Sequence, residues 1–156
     1  MKIWAIPLLL IVLPVAYASS LQEYNIDLSI NDDGGSEWTV KLDYNETTSK
    51  SDYFIFGTPS DLEITADGKV VKCAVTPNVG TSVICNGVNS KTMVYKFRIG
   101  NSVETLGGLR RFSYKFSITQ FTDKFSASVK LPLGAAIVEN PRLQGTGLQR
   151  FEPSFG

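Results

Sequence analysis

Residues 23–44 read EYNIDLSINDDGGSEWTVKLDY, and this stretch decides the fold. Tyr24, Ile26, Leu28 and Ile30 alternate with Glu23, Asn25, Asp27 and Ser29, the period-two pattern of a half-buried strand. Asn31-Asp32-Asp33-Gly34-Gly35 supplies turn chemistry, and Trp38, Val40, Leu42 and Tyr44 repeat the alternation. The two segments predict an antiparallel hairpin with one apolar face. Further along, Met93–Ile99, Phe112–Ile118 and Phe125–Leu131 carry strand signals, and Pro132 ends the last of them. Tyr53-Phe54-Ile55-Phe56 reads as a central strand buried on both sides. Asp67-Gly68 predicts a tight turn between Leu62–Thr65 and the strand leading to Cys73. Asn86-Gly87 marks another bend. Many short strands without a helical period predict an all-β, antiparallel β-sandwich of Ig-like type over residues 19–156.

The first eighteen residues differ in kind. Lys2 precedes an uncharged apolar run from Ile3 to Val15, and Ala16-Tyr17-Ala18 sets small residues at two positions read by a signal peptidase. Residues 1–18 are therefore expected to form a signal-peptide helix, with cleavage before Ser19. An uncleaved N-terminal anchor is the alternative, since the run is short for a span of roughly 20 residues. Either way the domain is expected to be extracytoplasmic, secreted or at the cell surface.

Charge and composition narrow the chemistry. Without Lys2 the domain carries 14 basic against 15 acidic residues, so no strong field points to nucleic acid or an anionic membrane. The chain has no histidine, which removes Ser-His-Asp and Cys-His catalysis and the usual zinc sites. No cofactor and no metal are expected.

Cys73 and Cys85 are even in number in an exported chain, which favours pairing. Strand-like runs flank Thr76–Thr81, and a hairpin centred on Val79 puts Cys73 opposite Cys85. Directly opposed residues of a non-hydrogen-bonded pair approach closely enough for a bridge. The pair is expected to be a structural staple rather than a redox centre.

Other candidates each have a plainer explanation. Asn45-Glu46-Thr47 is an N-glycosylation sequon in a polar loop. Asn31, Asp32, Asp33 and Glu37 are oxygen-rich, but lack the alternate spacing of a calcium loop and fit a bare turn. Asp27, Asp43, Asp52, Asp61 and Glu63 are the carboxylates a glycosidase would need, with no spacing that converges two of them. Arg110-Arg111 with Lys115 form a small basic cluster after Gly107-Gly108, at a strand start. Phe112, Tyr114, Phe116, Trp38, Tyr24 and Tyr44 share parity with core positions and read as packing.

Arg111–Phe116, Phe121–Phe125 and Val129–Ala136 together resemble the exported sandwich domain near the N-terminus of archaeal membrane-anchored proteins of unassigned role. The resemblance implies a Leu-Pro-x-Gly strand end, a Pro-rich bend, closing strands and a downstream membrane anchor. This chain stops before the closing strands, so either the domain is truncated or an edge stays open for another chain. The family brings no catalytic residues. The expected function is a non-catalytic exported or cell-surface module with structural or protein-interaction roles. Its expected partner is another protein or a cell-envelope component. The membrane enters only through an uncleaved N-terminal segment or a missing C-terminal anchor. The alternatives are the extracellular sensor portion of a membrane-anchored signalling protein, and a secreted carbohydrate-active enzyme.

Overall fold

The computed structural model describes residues 19–112, 114–116 and 120–135. The expected signal helix, Ile118 and the Pro/Gly-rich C-terminal stretch from Ala136 onward lie outside the described residues. The described chain is all-β. Its strands are β1 (Leu21–Ile30), β2 (Ser36–Ile55), β3 (Pro59–Ala66), β4 (Lys69–Val70), β5 (Ala74–Pro77), β6 (Thr81–Ile99), β7 (Val103–Leu106), β8 (Leu109–Phe112) and β9 (Thr122–Lys130).

The hairpin expected from residues 23–44 is β1 paired antiparallel with β2, with Tyr24 opposite Leu42, Ile26 opposite Val40 and Leu28 opposite Trp38. All six side chains are buried, each contributing roughly 1.5–3 kcal/mol by leaving water. Asp67 and Gly68 both adopt positive φ, 45° and 77°, the conformation that a two-residue hairpin turn requires. That turn joins β3 to β4, with Thr65 opposite Val70.

β2 and β6 form the spine and pair along most of their length, from Ser36–Ile99 to Ile55–Thr81. The ladder breaks register between Asp43 and Lys50. Across that break the buried positions of β2 change parity, from Trp38, Val40, Leu42 and Tyr44 to Ser51, Tyr53 and Ile55. On β6 the matching bend falls at Gly87 and Asn89, both with positive φ. The ribbon folds back there. Tyr44 and Ser51, seven residues apart on β2, bring their hydroxyl oxygens within 2.6 Å, whereas an extended strand would hold such residues about 23 Å apart. One long ribbon thus covers both sides of the core.

Three expectations need correction here. The strand pairing is not wholly antiparallel: β9 runs parallel to β1, with Leu21 opposite Thr122 and Leu28 opposite Val129, so the seven-stranded sheet is mixed. A parallel neighbour needs a long crossover, and here the seven strands β2–β8 lie between β1 and β9 in the chain. Tyr114–Phe116 within that crossover are not strand, although their alternation is strong. Tyr114 instead lays its ring 4.2 Å from Trp38, and Phe116 stacks 5.1 Å from Phe125. The alternation thus reports a segment lying along the apolar face rather than a ladder. Third, the 53–56 run is buried on one side only: Tyr53 and Ile55 face the core, while Phe56 is exposed. Phe54 and Phe56 pack against each other in an edge-to-face pair on the opposite side. Arg110 and Arg111 lie exposed in β8, where Arg111 faces Glu104 of β7.

Candidate functional site

The most chemically organised region lies where the ribbon folds over. β5 pairs with β6 in the register expected for a hairpin centred on Val79, with Ala74 opposite Ile84 and Pro77 opposite Thr81. One residue beyond this ladder, Cys73 and Cys85 form a disulfide with their Cα atoms 4.5 Å apart, the separation of a non-hydrogen-bonded antiparallel pair. Cys85 is fully buried. Its Sγ lies 3.9 Å from the Tyr95 hydroxyl, which is 2.7 Å from Ser51 Oγ, which in turn is 2.6 Å from the Tyr44 hydroxyl. Nearby, Tyr24 donates to the Tyr53 hydroxyl at 3.3 Å.

These phenols stay protonated through the ordinary pH range. Burial pushes Tyr24 up to about 12, with its hydrogen-bond contact to Tyr53 working the other way. Burial likewise raises Tyr44, Tyr53, Tyr95 and Tyr114. A phenol that stays protonated offers no base near neutral pH, and these hydroxyls bond to one another. The cluster reads as a polar seam that fixes how the two halves of the ribbon meet. Sequence reasoning missed Ser51. Its signal was the parity change between Tyr44 and Tyr53, which the register shifts at Asp43–Lys50 accommodate.

The carboxylates do not converge. Asp43 accepts from Lys41 at 2.8 Å and from Thr92 Oγ1 at 2.6 Å. Asp52 is paired with Lys50 at 2.8 Å. Asp61 sits in the positive-φ region at 53°, a backbone role, and Asp27 and Glu63 project outward on β1 and β3. In the β1–β2 turn, Asp33 accepts from the Gly35 amide at 2.9 Å and is ion-paired with Arg98. The Gly35 amide and the Arg98 charge hold its carboxyl below the usual range. Asn31 Nδ2 donates to Glu37 at 3.2 Å. Asn31, Asp33 and Glu37 of the oxygen-rich turn are thus engaged within the turn and with Arg98.

Asn45 lies within β2 rather than in a loop, at the interruption of the β2–β6 ladder. It is exposed, and its Nδ2 donates to Ser20 Oγ at 2.8 Å and to Asp123 Oδ2 at 3.4 Å.

No protein-family model matches this chain, and no curated protein does. Among solved structures it is distantly similar to part of yeast LTA4 hydrolase, with a TM-score of 0.47 and 15% identity over 73% of this chain and 23% of that one. A two-domain M1 zinc metallopeptidase bound to L-arginine gives a TM-score of 0.42 and 12% identity over 75% of this chain and 33% of that one. The M1 zinc metallopeptidase from Deinococcus radiodurans gives 0.41 and 14% over 72% and 32%. This chain thus spans a third or less of those enzymes. At such scores the likeness carries no argument about chemistry.

Proposed function

We propose that the chain is an exported, non-catalytic β-sandwich module that serves a structural or protein-interaction role outside the cytoplasm. The observation that carries this reading is the Cys73–Cys85 disulfide in the register of the β5–β6 hairpin. Such a bridge persists in oxidising compartments and is rare in reducing ones. The export signal expected over residues 1–18 points the same way. Lack of histidine, with Asp43 and Asp52 each committed to a lysine, supports a role without acid–base turnover. The proposed partner is another protein or a cell-envelope component.

Fractionation of the producing cells tests the proposal. The protein is expected outside the cytoplasm, starting at Ser19, and inert towards a panel of glycoside and ester substrates. Recovery in the cytoplasm would overturn the export reading. Turnover abolished by substituting two neighbouring carboxylates would overturn the non-catalytic one.

A further inference from the structure

We propose that Asn45 carries an N-linked glycan in the folded, exported domain. Three structural features, beyond the three-residue motif, support the site. First, the motif forms a continuous exposed run: Asn45, Glu46 and Thr47 are exposed between buried Tyr44 and Thr48. The register break between Asp43 and Thr48 leaves the acceptor segment out of the β2–β6 ladder and presents it to solvent.

Second, the Asn45 amide has the hydrogen-bond arrangement that a glycosylated amide can keep. Nδ2 carries two hydrogens and lies 2.8 Å from Ser20 Oγ and 3.4 Å from Asp123 Oδ2. Glycosylation replaces one hydrogen by a sugar carbon. The remaining N–H can still donate to one of these two oxygens. Third, the backbone at the site is tied down: the Asn45 backbone N–H donates to the Ser20 carbonyl at 3.1 Å, just ahead of β1.

The chemistry is a substitution at a sugar's anomeric carbon. Nδ2 forms the new C–N bond, and the anomeric C–O bond of a lipid phosphate- or pyrophosphate-linked oligosaccharide breaks. The lipid phosphate leaves with the electron pair, and one amide proton is lost to a base of the transferring enzyme. The donor is a membrane lipid on the extracytoplasmic side, so the inference rests on the export proposed above.

Trypsin cutting after Lys41 and Lys50 releases residues 42–50, LDYNETTSK, which isolates the site. From protein recovered outside the cells of its own organism, this peptide is expected to be heavier by whole sugar residues, with fragment ions placing the added mass on Asn45. Thr47→Ala is expected to remove the added mass without touching the amide, and Thr47→Ser to retain it. A bare peptide from extracytoplasmic protein overturns the site while leaving export standing. Protein found only in the cytoplasm, with a bare peptide, overturns both. Added mass that survives Thr47→Ala contradicts sequon-directed modification.

Discussion

Cys85 and Tyr95 lie ten residues apart on the same strand, yet the cysteine sulfur and the tyrosine hydroxyl are separated by 3.9 Å. An extended strand would put such residues about 33 Å apart, so β6 must fold back on itself between them. Gly87 and Asn89, both at positive φ, provide the turn within the strand. The same fold-back brings Tyr53 to a ring separation of 5.0 Å from Tyr95 and lets Tyr24 meet Tyr53. The disulfide, the serine and the tyrosines therefore form one seam between the two halves of the β2–β6 ribbon.

Ser51→Ala tests that seam. Its hydroxyl contacts both the Tyr44 and the Tyr95 hydroxyls, and removing it leaves two buried phenols short of a partner. The expected loss is about 2 kcal/mol, read as a lower urea midpoint with an unchanged slope. An unaltered midpoint would show that the two halves meet without this contact.

Replacing both cysteines by alanine removes the bridge but keeps the β5–β6 register. With a sequence separation of 12, the expected loss is about 3 kcal/mol on the loop-closure model. Hydrogen exchange is expected to speed up most in Ala74–Pro77, since this strand has β6 as its ladder partner.

Gly80→Ala has a steric cost. A Cβ at Gly80 would meet the Ile55 carbonyl oxygen at 2.5 Å and Phe54 Cζ at 2.6 Å. The Phe54 ring can swing aside, but the carbonyl belongs to the backbone. The expected destabilisation is roughly 1–3 kcal/mol, accompanied by loosening of the Thr76–Thr81 turn in hydrogen exchange.

Alkaline titration reads the buried phenols directly. An unfolded tyrosine ionises near 10, whereas Tyr24 in the folded domain is raised to about 12. Between those values the unfolded chain binds fewer protons than the folded one, so stability falls as pH rises. The protonated-phenol contribution is whole below about 10 and is lost as the pH climbs through the folded value. Tyrosinate absorbance is expected to stay low past pH 11 and then to appear together with loss of sheet. A full tyrosinate signal at pH 10.5 with the sheet intact would contradict the burial of these side chains.

The sequence revealed the local pairings and concealed the long-range ones. The β1–β2 hairpin, the Asp67-Gly68 turn and the Cys73–Cys85 register were legible because alternation and turn residues fix neighbours near in sequence. Four features were not legible. Alternation at Phe112, Tyr114 and Phe116 records which side chains face the core, and it reads the same for a paired strand as for a crossover lying on that face. The Asn86-Gly87 signal was legible as a bend, but not as a bend inside one continuous strand. The parallel pairing of β1 with β9 joins residues far apart in sequence, such as Leu21 and Thr122, which no local pattern encodes. Asp43 and Asp52 were visible as carboxylates, but their commitment to Lys41 and Lys50 was visible only in three dimensions.

The most direct test of an exported module closed by an oxidised hairpin is alkylation of the secreted protein, denatured without reductant, followed by intact-mass measurement. The account predicts no added alkyl group before reduction and two after it. Two alkyl groups before reduction would mean free thiols at Cys73 and Cys85, and would contradict the oxidised hairpin on which the account rests.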